Sequence, residues 1–351
     1  MIKKIWKAEI IVPVLFILID ILCFILSRVS TGFLVEQVSV RFIRNGVLVL
    51  SLILPVVAGM GLNFCVTVGA MAAQAAYIIS LNHNLYGGPG VLAVFVMTII
   101  FNLIIGFVLG KIMNLVKGKE MVTSIVIGSL SNYLYQLIFI AGYGTILPVH
   151  NENIILKNGV GVESMVDLKT YKEFFNSFGS VKVAQIPISI FLIFMVFLLA
   201  FGMFYLLHTP FGKQVQVMGY DEKKAQTLGI PIDRYRIYVM IASSVLAGIG
   251  QFIYLQNIGT LNTYTEHLNV DTFSCAALLV GGASIRRANV KNAMVGVLIM
   301  HTLFVVSSIA GQNLFANTAL GEYFRSFVVY GIITFALIMN LRIENKKRMT
   351  G

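Results

Sequence analysis

Long apolar segments without charge recur along this chain, and they constrain its fold more than any other feature of the sequence. The clearest of them, residues 186–207, carries no charged side chain. A helix of about 20 apolar residues is long enough to cross the hydrocarbon core of a bilayer. Only 12% of the 351 residues are charged, whereas soluble domains carry about 25%. The sequence therefore predicts a multi-pass membrane protein.

We predict an all-α polytopic fold in which residues 1–351 form a single transmembrane domain. Pro55 predicts a kink in the second span, because a proline inside a helix removes a backbone hydrogen bond. The two longest polar connections are residues 142–185 and residues 208–236. The ten predicted spans are 10–26, 45–59, 62–81, 91–112, 121–141, 186–207, 237–255, 272–284, 293–310 and 324–341.

The basic residues predict which side of the membrane each connection occupies. Short cytoplasmic connections of membrane proteins are enriched in Lys and Arg. With ten spans and a cytoplasmic N-terminus, most of the 26 basic residues fall on the inner side. We therefore expect a cell-membrane protein with both termini and the 208–236 loop in the cytoplasm, and with the 142–185 segment outside. The formal charge of +11 follows from this asymmetry and does not indicate nucleic acid binding.

The 208–236 loop contains a short helix whose two ends are marked in the sequence. Asp221 is a favourable N-cap residue, and Glu222 suits the positive end of the helix dipole. Gly229 supplies a left-handed stop, and Pro231 prevents the helix from continuing. We predict a capped helix over residues 221–228 and interpret it as a docking element for a soluble partner. A solvated connector is the other interpretation.

The chain lacks motifs for a nucleotide, metal or catalytic site of its own. The Phe211-Gly212-Lys213 stretch lacks the upstream glycine and the following hydroxyl of a phosphate-binding loop. The histidines do not follow metalloprotease spacing, and the three cysteines lie in apolar stretches without zinc spacing. We therefore predict no enzyme activity and no cofactor or metal in this chain. If a membrane protein of this kind transports a solute, the energy for transport must come from a partner protein or from an ion gradient.

The main alternative to a transporter driven by a partner protein is a secondary transporter driven by an ion gradient. Such carriers keep ionisable residues inside the membrane. Asp20 is the one acidic residue within a predicted span, and a single acid on the first helix is limited support for coupling. A scaffold or receptor subunit without transport activity is a third hypothesis.

Amide side chains inside the apolar spans are candidates for a substrate path. Asn132 and Gln136 are four residues apart, so they lie on one face of a helix. Together with Asn63 and Gln251 they predict a polar, uncharged lining that suits a neutral solute such as a sugar or nucleoside. The alternative is that these amides hydrogen-bond neighbouring helices.

Two glycine-rich stretches, residues 59–70 and 278–284, suggest an internal repeat. Transporters built from inverted repeats place discontinuous, glycine-rich segments near the substrate. We therefore predict two five-helix halves of opposite orientation. Close packing of helices through small residues is the alternative explanation.

Three stretches in order resemble the permeases of ribose-type and branched-chain-amino-acid-type ABC importers. The first is GLNFCVTVG from Gly61, which is similar to that family's G-x-D-L-S-V-G. The second is TPFGKQ from Thr209 with GYDE and AQTLGI, which is similar to T-x-F-G-R and G-x-N-x-x-A-A-x-x-x-G-I. The third is ALLVGGAS from Ala277, which is similar to V-x-x-G-G-x-S. The resemblance covers roughly residues 45–340.

The resemblance implies a permease subunit that pairs as a homodimer or heterodimer. It also implies cytoplasmic ATPase subunits, which hold ATP and Mg²⁺, and an extracytoplasmic binding protein that delivers the solute. The sequence departs from the family pattern at Asn63-Phe64 and at residues 286–289, which leaves the substrate open. The ATPase-coupling residues implied are Gly219, Asp221, Glu222, Ala225 and Gly229.

The 142–185 segment carries a cluster of aromatic residues, namely Tyr171, Phe174, Phe175 and Phe178. Aromatic residues gather at membrane interfaces. We therefore predict that residues 171–178 form an amphipathic helix lying on the membrane. A docking surface for the delivery protein is the alternative.

Overall fold

The computed structural model describes residues 2–157, 159–176, 178–183 and 186–348, and these residues form a helical bundle. A π-helical turn, Ile138–Gly142, extends the sixth helix, and a short 3-10 turn covers Glu152–Ile154. The helices are α1 (Ile2–Ser27), α2 (Thr31–Ser51), α3 (Ile53–Val57), α4 (Val66–Asn82), α5 (Gly87–Leu115), α6 (Glu120–Leu137), α7 (Lys169–Asn176), α8 (Ile190–His208), α9 (Pro210–Tyr220), α10 (Glu222–Thr227), α11 (Ile232–Ile258), α12 (Val270–Val280), α13 (Val290–Phe315) and α14 (Thr318–Arg348).

The predicted multi-pass helical fold is confirmed, and the number of ten spans stays a prediction. Within the described residues, seven helices are long and apolar enough to cross a membrane. The third and eighth predicted spans correspond to the shorter apolar helices α4 and α12. The tenth predicted span falls on α14, which is not among the seven. The seven are Ile10–Ser27, Thr31–Val57, Gly87–Leu115, Glu120–Gly142, Ile190–His208, Ile232–Ile258 and Val290–Phe315.

The predicted kink at Pro55 is present as the break between α2 and α3. Proline has no N–H, so the carbonyl four residues earlier, on Ser51, loses its helical partner. The hydroxyl of Ser243 on α11 donates to this carbonyl at 2.8 Å. The kink is therefore stabilised by a neighbouring helix, and the second span continues beyond it as the buried helix α3.

The 142–185 segment packs onto the helix bundle and adds a little β-structure, which the sequence analysis did not predict. Two antiparallel pairs are present: β1 (Met165–Asp167) with β4 (Thr260–Asn262), and β2 (Ser180–Val183) with β3 (Ile186–Ser189). In the first pair Val166 lies opposite Leu261. This pairing ties the segment to the turn that follows α11.

The prediction that residues 171–178 lie on the membrane surface is wrong for Tyr171 and Phe175. Helix α7 forms there, but Tyr171 is completely buried and Phe175 nearly so. The Tyr171 hydroxyl donates to the carbonyl of Leu85 at 2.5 Å, and its ring packs against Tyr77. The apolar face of α7 is therefore covered by protein because the ends of α4 and α5 offer it an aromatic and hydrogen-bonding site.

Glycine residues allow several helices to pack closely, as the packing alternative predicted. A Cβ atom on Gly106 would lie 2.6 Å from the Ile241 Cα, and one on Gly281 would lie 1.9 Å from the Asn292 carbonyl oxygen. In the first glycine-rich stretch, a Cβ on Gly61 would lie 3.7 Å from the side chain of Ile285, the residue that follows the second stretch. Small residues therefore set the spacing of α5 with α11 and of α12 with α13, while the inverted repeat stays a prediction.

Candidate coupling surface and substrate path

The 208–236 loop folds into two short helices joined at a single residue. The Thr209 side chain accepts a hydrogen bond from the Gly212 N–H at 3.2 Å, and Pro210 occupies the first position of α9. Both features are standard helix-start signals. Asp221 has extended backbone geometry, which ends α9, and its carboxylate accepts from the Lys224 N–H at 3.1 Å, which begins α10. The predicted N-cap is confirmed.

The end of α10 is also closed by local hydrogen bonds. The Gly229 N–H donates to the Gln226 carbonyl at 2.9 Å, and the Ile230 N–H donates to the Ala225 carbonyl at 3.1 Å. This pair of bonds, with Gly229 at φ +76°, is the Schellman motif of a helix C-terminus. The predicted left-handed stop at Gly229 is confirmed, and α10 is a small rigid unit.

The outer face of the two helices carries a surface groove of about 270 Å³. Tyr220, which lines the groove, is 76% exposed, and Leu228, at the end of α10, is 70% exposed. Large apolar side chains exposed on an otherwise polar loop are typical of a protein contact surface. The residues lining the groove are Lys213, Gln216, Val217, Tyr220, Asp221 and Lys224.

The five predicted coupling residues divide into two groups in the structure. Asp221, Glu222 and Gly229 lie at the surface, where a partner can contact them. Ala225 is completely buried, and a Cβ atom on Gly219 would lie 1.9 Å from the Val57 carbonyl oxygen. Gly219 and Ala225 therefore face the bundle and hold the loop on it. Tyr220 and Leu228 are surface residues that the sequence analysis missed.

Ion pairs fix the base of the loop to α5, α6 and α11. Lys117 contacts Asp233 at 2.6 Å and Glu222 at 3.6 Å, and all three side chains are partly exposed. Deeper in the bundle, the Arg236 guanidinium donates to the Glu120 carboxylate at 2.5 Å and to the Met113 carbonyl at 2.9 Å. The Arg236 and Glu120 side chains are only 5% and 11% exposed. These ion pairs therefore hold the C-terminal end of the loop in place against the helix bundle.

A chain of hydrogen bonds joins α4, the turn before α12, and α6. His267 is completely buried, and its Nδ1 lies 3.0 Å from the Gln74 Oε1. Its Nε2 lies 2.7 Å from the Asn132 Oδ1, which also accepts from the Gln136 Nε2 at 3.2 Å. The Tyr135 ring packs edge-on against the imidazole at 5.0 Å between centroids. We call these four hydrogen-bonded residues, Gln74, Asn132, Gln136 and His267, the polar chain.

The imidazole of the polar chain is neutral at physiological pH. His267 lies in the turn between α11 and α12, and burial lowers its pKa to about 4. A neutral imidazole has one N–H to donate, and the shorter contact, from Nε2 to the Asn132 oxygen, suits it best. Nδ1 is then an acceptor, so the Gln74 amide presents its NH2 group to the imidazole once its oxygen and nitrogen are exchanged. The amide of Asn132 then accepts two hydrogen bonds and is held in one orientation.

The other two predicted path residues lie outside the polar chain. The Asn63 amide donates to the Ser243 hydroxyl at 3.2 Å, and its oxygen accepts from the Cys65 N–H at 3.0 Å. Asn63 therefore organises the turn between α3 and α4. Gln251 is completely buried on α11, and neither amide atom has a hydrogen-bond partner among the described residues. The structure thus brings together Asn132 and Gln136, but not Asn63 or Gln251.

Sequence reasoning missed the role of His267, because it tested the histidines only for the spacing of metal ligands. The only sequence signal was a lone histidine in a polar turn before a short apolar helix. Gln74 was among the amides inside the predicted spans, but nothing in the sequence paired it with residues far along the chain. The polar chain depends on three separate segments meeting in the folded bundle.

Membrane-length helices, a connecting loop with capped helices and a buried polar chain define a multi-pass membrane protein, and comparison with known proteins identifies its family. Residues 34–337 match the family described as branched-chain amino acid transport system / permease component. A ribose import permease protein of Haemophilus influenzae is 22% identical over 292 residues, which is 81% of this chain and 81% of that protein. No solved structure significantly matches the chain.

Two further relatives are shorter matches to sugar permeases. A ribose import permease protein of Bacillus subtilis is 27% identical over 177 residues, covering 49% of this chain and 50% of the relative. An L-arabinose transport system permease protein of Escherichia coli is 24% identical over 155 residues, or 44% of each chain. Because the family match covers most of its length, the chain belongs to this family of ABC importer permeases. It is a transport subunit rather than an enzyme, as the sequence predicted.

Proposed function

We propose that this permease imports a small neutral polar solute, a sugar or a nucleoside, with energy from a cytoplasmic ATPase that docks on α9 and α10. The observation that carries the docking proposal is the capped, partly apolar surface of the 208–236 loop. Tyr220, which lines a groove of about 270 Å³, and Leu228, at the end of α10, expose most of their side chains there. Exposed apolar surface of this kind favours a partner protein. ATP and Mg²⁺ belong to that partner.

The substrate proposal is supported by the polar chain and by one face of α6. Asn132 and Gln136 are half-buried, and Tyr133 beside them is 69% exposed. Exposing amide and phenol side chains to lipid costs free energy. This face of α6 is therefore better suited to contact a second permease subunit or to line a water-filled substrate path. Uncharged donors and acceptors suit hydroxylated solutes. The names of the relatives, two ribose permeases and an arabinose permease, favour a sugar.

The remaining partners follow from the same proposal. A second permease subunit covers the exposed face of α6, and an extracytoplasmic binding protein delivers the solute to the end of the bundle that carries residues 142–185. Both termini and the 208–236 loop are then cytoplasmic, in the cell membrane. The predominance of Lys and Arg in the connections on that side supports this orientation.

Replacing His267 with alanine is expected to reduce uptake about tenfold or more, because the Asn132 amide loses the donor that orients it, and leaving a buried polar group unpaired costs roughly 1–3 kcal/mol. The measurement is uptake of labelled ribose, arabinose and uridine into proteoliposomes that contain the permease, its ATPase and its binding protein. His83→Ala is the matched control, since His83 is exposed. Equal uptake by both variants for every transported solute would contradict a role of the polar chain in the path.

The ion-coupled alternative depends on Asp20, which is buried on α1 and has a carboxylate oxygen without a hydrogen-bond partner among the described residues. The family match favours the ATP-driven mechanism. Uptake by an Asp20→Asn variant separates the two. We expect this variant to retain ATP-dependent uptake. Loss of uptake with Asp20→Asn, together with full uptake when the ATPase is inactive, would establish the alternative.

A further inference from the structure

The 208–236 loop meets the membrane bundle at one very close backbone contact. Besides its contacts with the adjoining α8 and α10 and with α11, where the Phe211 ring stacks on Tyr235, α9 packs against α3, the short helix beyond the kink of the second span. A Cβ atom on Gly219 would lie 1.9 Å from the Val57 carbonyl oxygen and 2.8 Å from the Gly59 nitrogen. No side chain fits at these distances, so the contact requires glycine on α9.

The bundle side of the contact is also a glycine. Gly59 has φ +78°, a backbone conformation that other residues rarely adopt. A Cβ atom there would lie 2.9 Å from the Gly219 Cα. The two backbones therefore touch directly, without an intervening side chain that could flex. Movement of α9 toward the bundle must displace the turn that contains Gly59.

The turn at Gly59 is connected by hydrogen bonds to its surroundings. The Asn63 amide donates to the Ser243 hydroxyl, which in turn donates to the Ser51 carbonyl freed by Pro55. The Asn63 oxygen accepts from the Cys65 N–H, next to the first residue of α4. Residues 58–65 thus form a hydrogen-bonded turn that connects the kink of the second span to α4.

We propose that Gly59 and Gly219 form the joint through which movement of the 208–236 loop reaches the substrate path. This inference rests on the proposed function, in which an ATPase moves the loop. Residues 58–65 pass the displacement to α4, which moves as a rigid helix. Gln74 lies eight residues into α4, about 12 Å along its axis, and contacts His267, which reaches Asn132 on α6. Residues 58–65 and α4 therefore carry the movement from the contact between Gly219 and Gly59.

Gly219→Ala tests the joint, with Gly202→Ala as its matched control. A Cβ on Gly202, in α8, meets nothing within 4 Å. In proteoliposomes with the ATPase and binding protein, ATP hydrolysis and solute uptake are measured on the same preparation and both are normalised to the amount of assembled complex. The number of solute molecules transported per ATP hydrolysed is expected to fall about tenfold. A change at one residue can weaken the coupling between two sites by about this factor. Wild-type coupling in Gly219→Ala would overturn the proposal.

Hydrogen exchange on the wild-type complex decides the question if Gly219→Ala does not assemble. The complex is compared with ADP and with a non-hydrolysable ATP analogue. We expect exchange to change in residues 209–231 and, together with them, in residues 58–68. A change in 209–231 that continues only into α8 and α11 would overturn the joint while leaving ATPase docking intact. No change in 209–231 would overturn the proposed function itself.

Discussion

Replacing Arg236 with glutamine is expected to destabilise the permease by about 3–5 kcal/mol, the cost of removing one partner of a buried ion pair. Its guanidinium contacts Glu120 at 2.5 Å, and both side chains are almost completely buried. The variant leaves the Glu120 carboxylate without its cation and the Met113 carbonyl without its donor. The measurement is thermal unfolding of the purified protein in detergent.

Two controls accompany this experiment. Lys169→Gln breaks the exposed pair with Asp167 at 3.7 Å and is expected to cost less than about 1 kcal/mol. The double variant Arg236→Met, Glu120→Leu removes both charges and is expected to recover most of the loss. A melting temperature for Arg236→Gln equal to that of Lys169→Gln would show that the buried pair does not hold α6 and α11 together.

Replacing Tyr220 and Leu228 together with aspartate is expected to reduce ATP-driven uptake by roughly 100-fold, since each exposed apolar side chain acts as an interface anchor. The melting temperature of the isolated permease should not change, because both side chains are mostly exposed. Uptake into proteoliposomes and co-purification of the ATPase are measured in parallel.

The matched control for the docking surface is Ile146→Asp. Ile146 is 86% exposed on the 142–185 segment, so it introduces the same change at the opposite end of the bundle. We expect it to leave ATPase co-purification unchanged. If the Tyr220, Leu228 double variant still retained the ATPase and the wild-type uptake rate, α9 and α10 would not be the docking surface.

The parts of the structure that depend on local signals were predictable from the sequence. Asp221 caps α10 and Gly229 closes it because both act on backbone groups within a few residues. Pro55 breaks the second span for the same kind of reason. Helix α9 carries an equally local signal, Thr209-Pro210, but the sequence analysis did not use it.

The parts that depend on packing between distant segments were not predictable. The sequence grouped Gly219 with Asp221 as docking residues, whereas the structure turns Gly219 inward against Val57. The aromatic residues of α7 were assigned to a membrane surface because nothing in the sequence shows that Tyr171 meets Ser80 and Leu85. The polar chain likewise joins residues 74, 132 and 267, which become neighbours only in the folded bundle.

The most direct test of the docking surface is cross-linking from position 220. Cys23, Cys65 and Cys275 are buried and are first replaced with alanine. Tyr220→Cys and, as a control, Ile146→Cys are each labelled with a photoactivatable cross-linker in the assembled importer. The docking proposal predicts an adduct with the ATPase from position 220 and none from position 146. Labelling of position 220 by a membrane-impermeant thiol reagent outside intact cells, with no ATPase adduct, would contradict it.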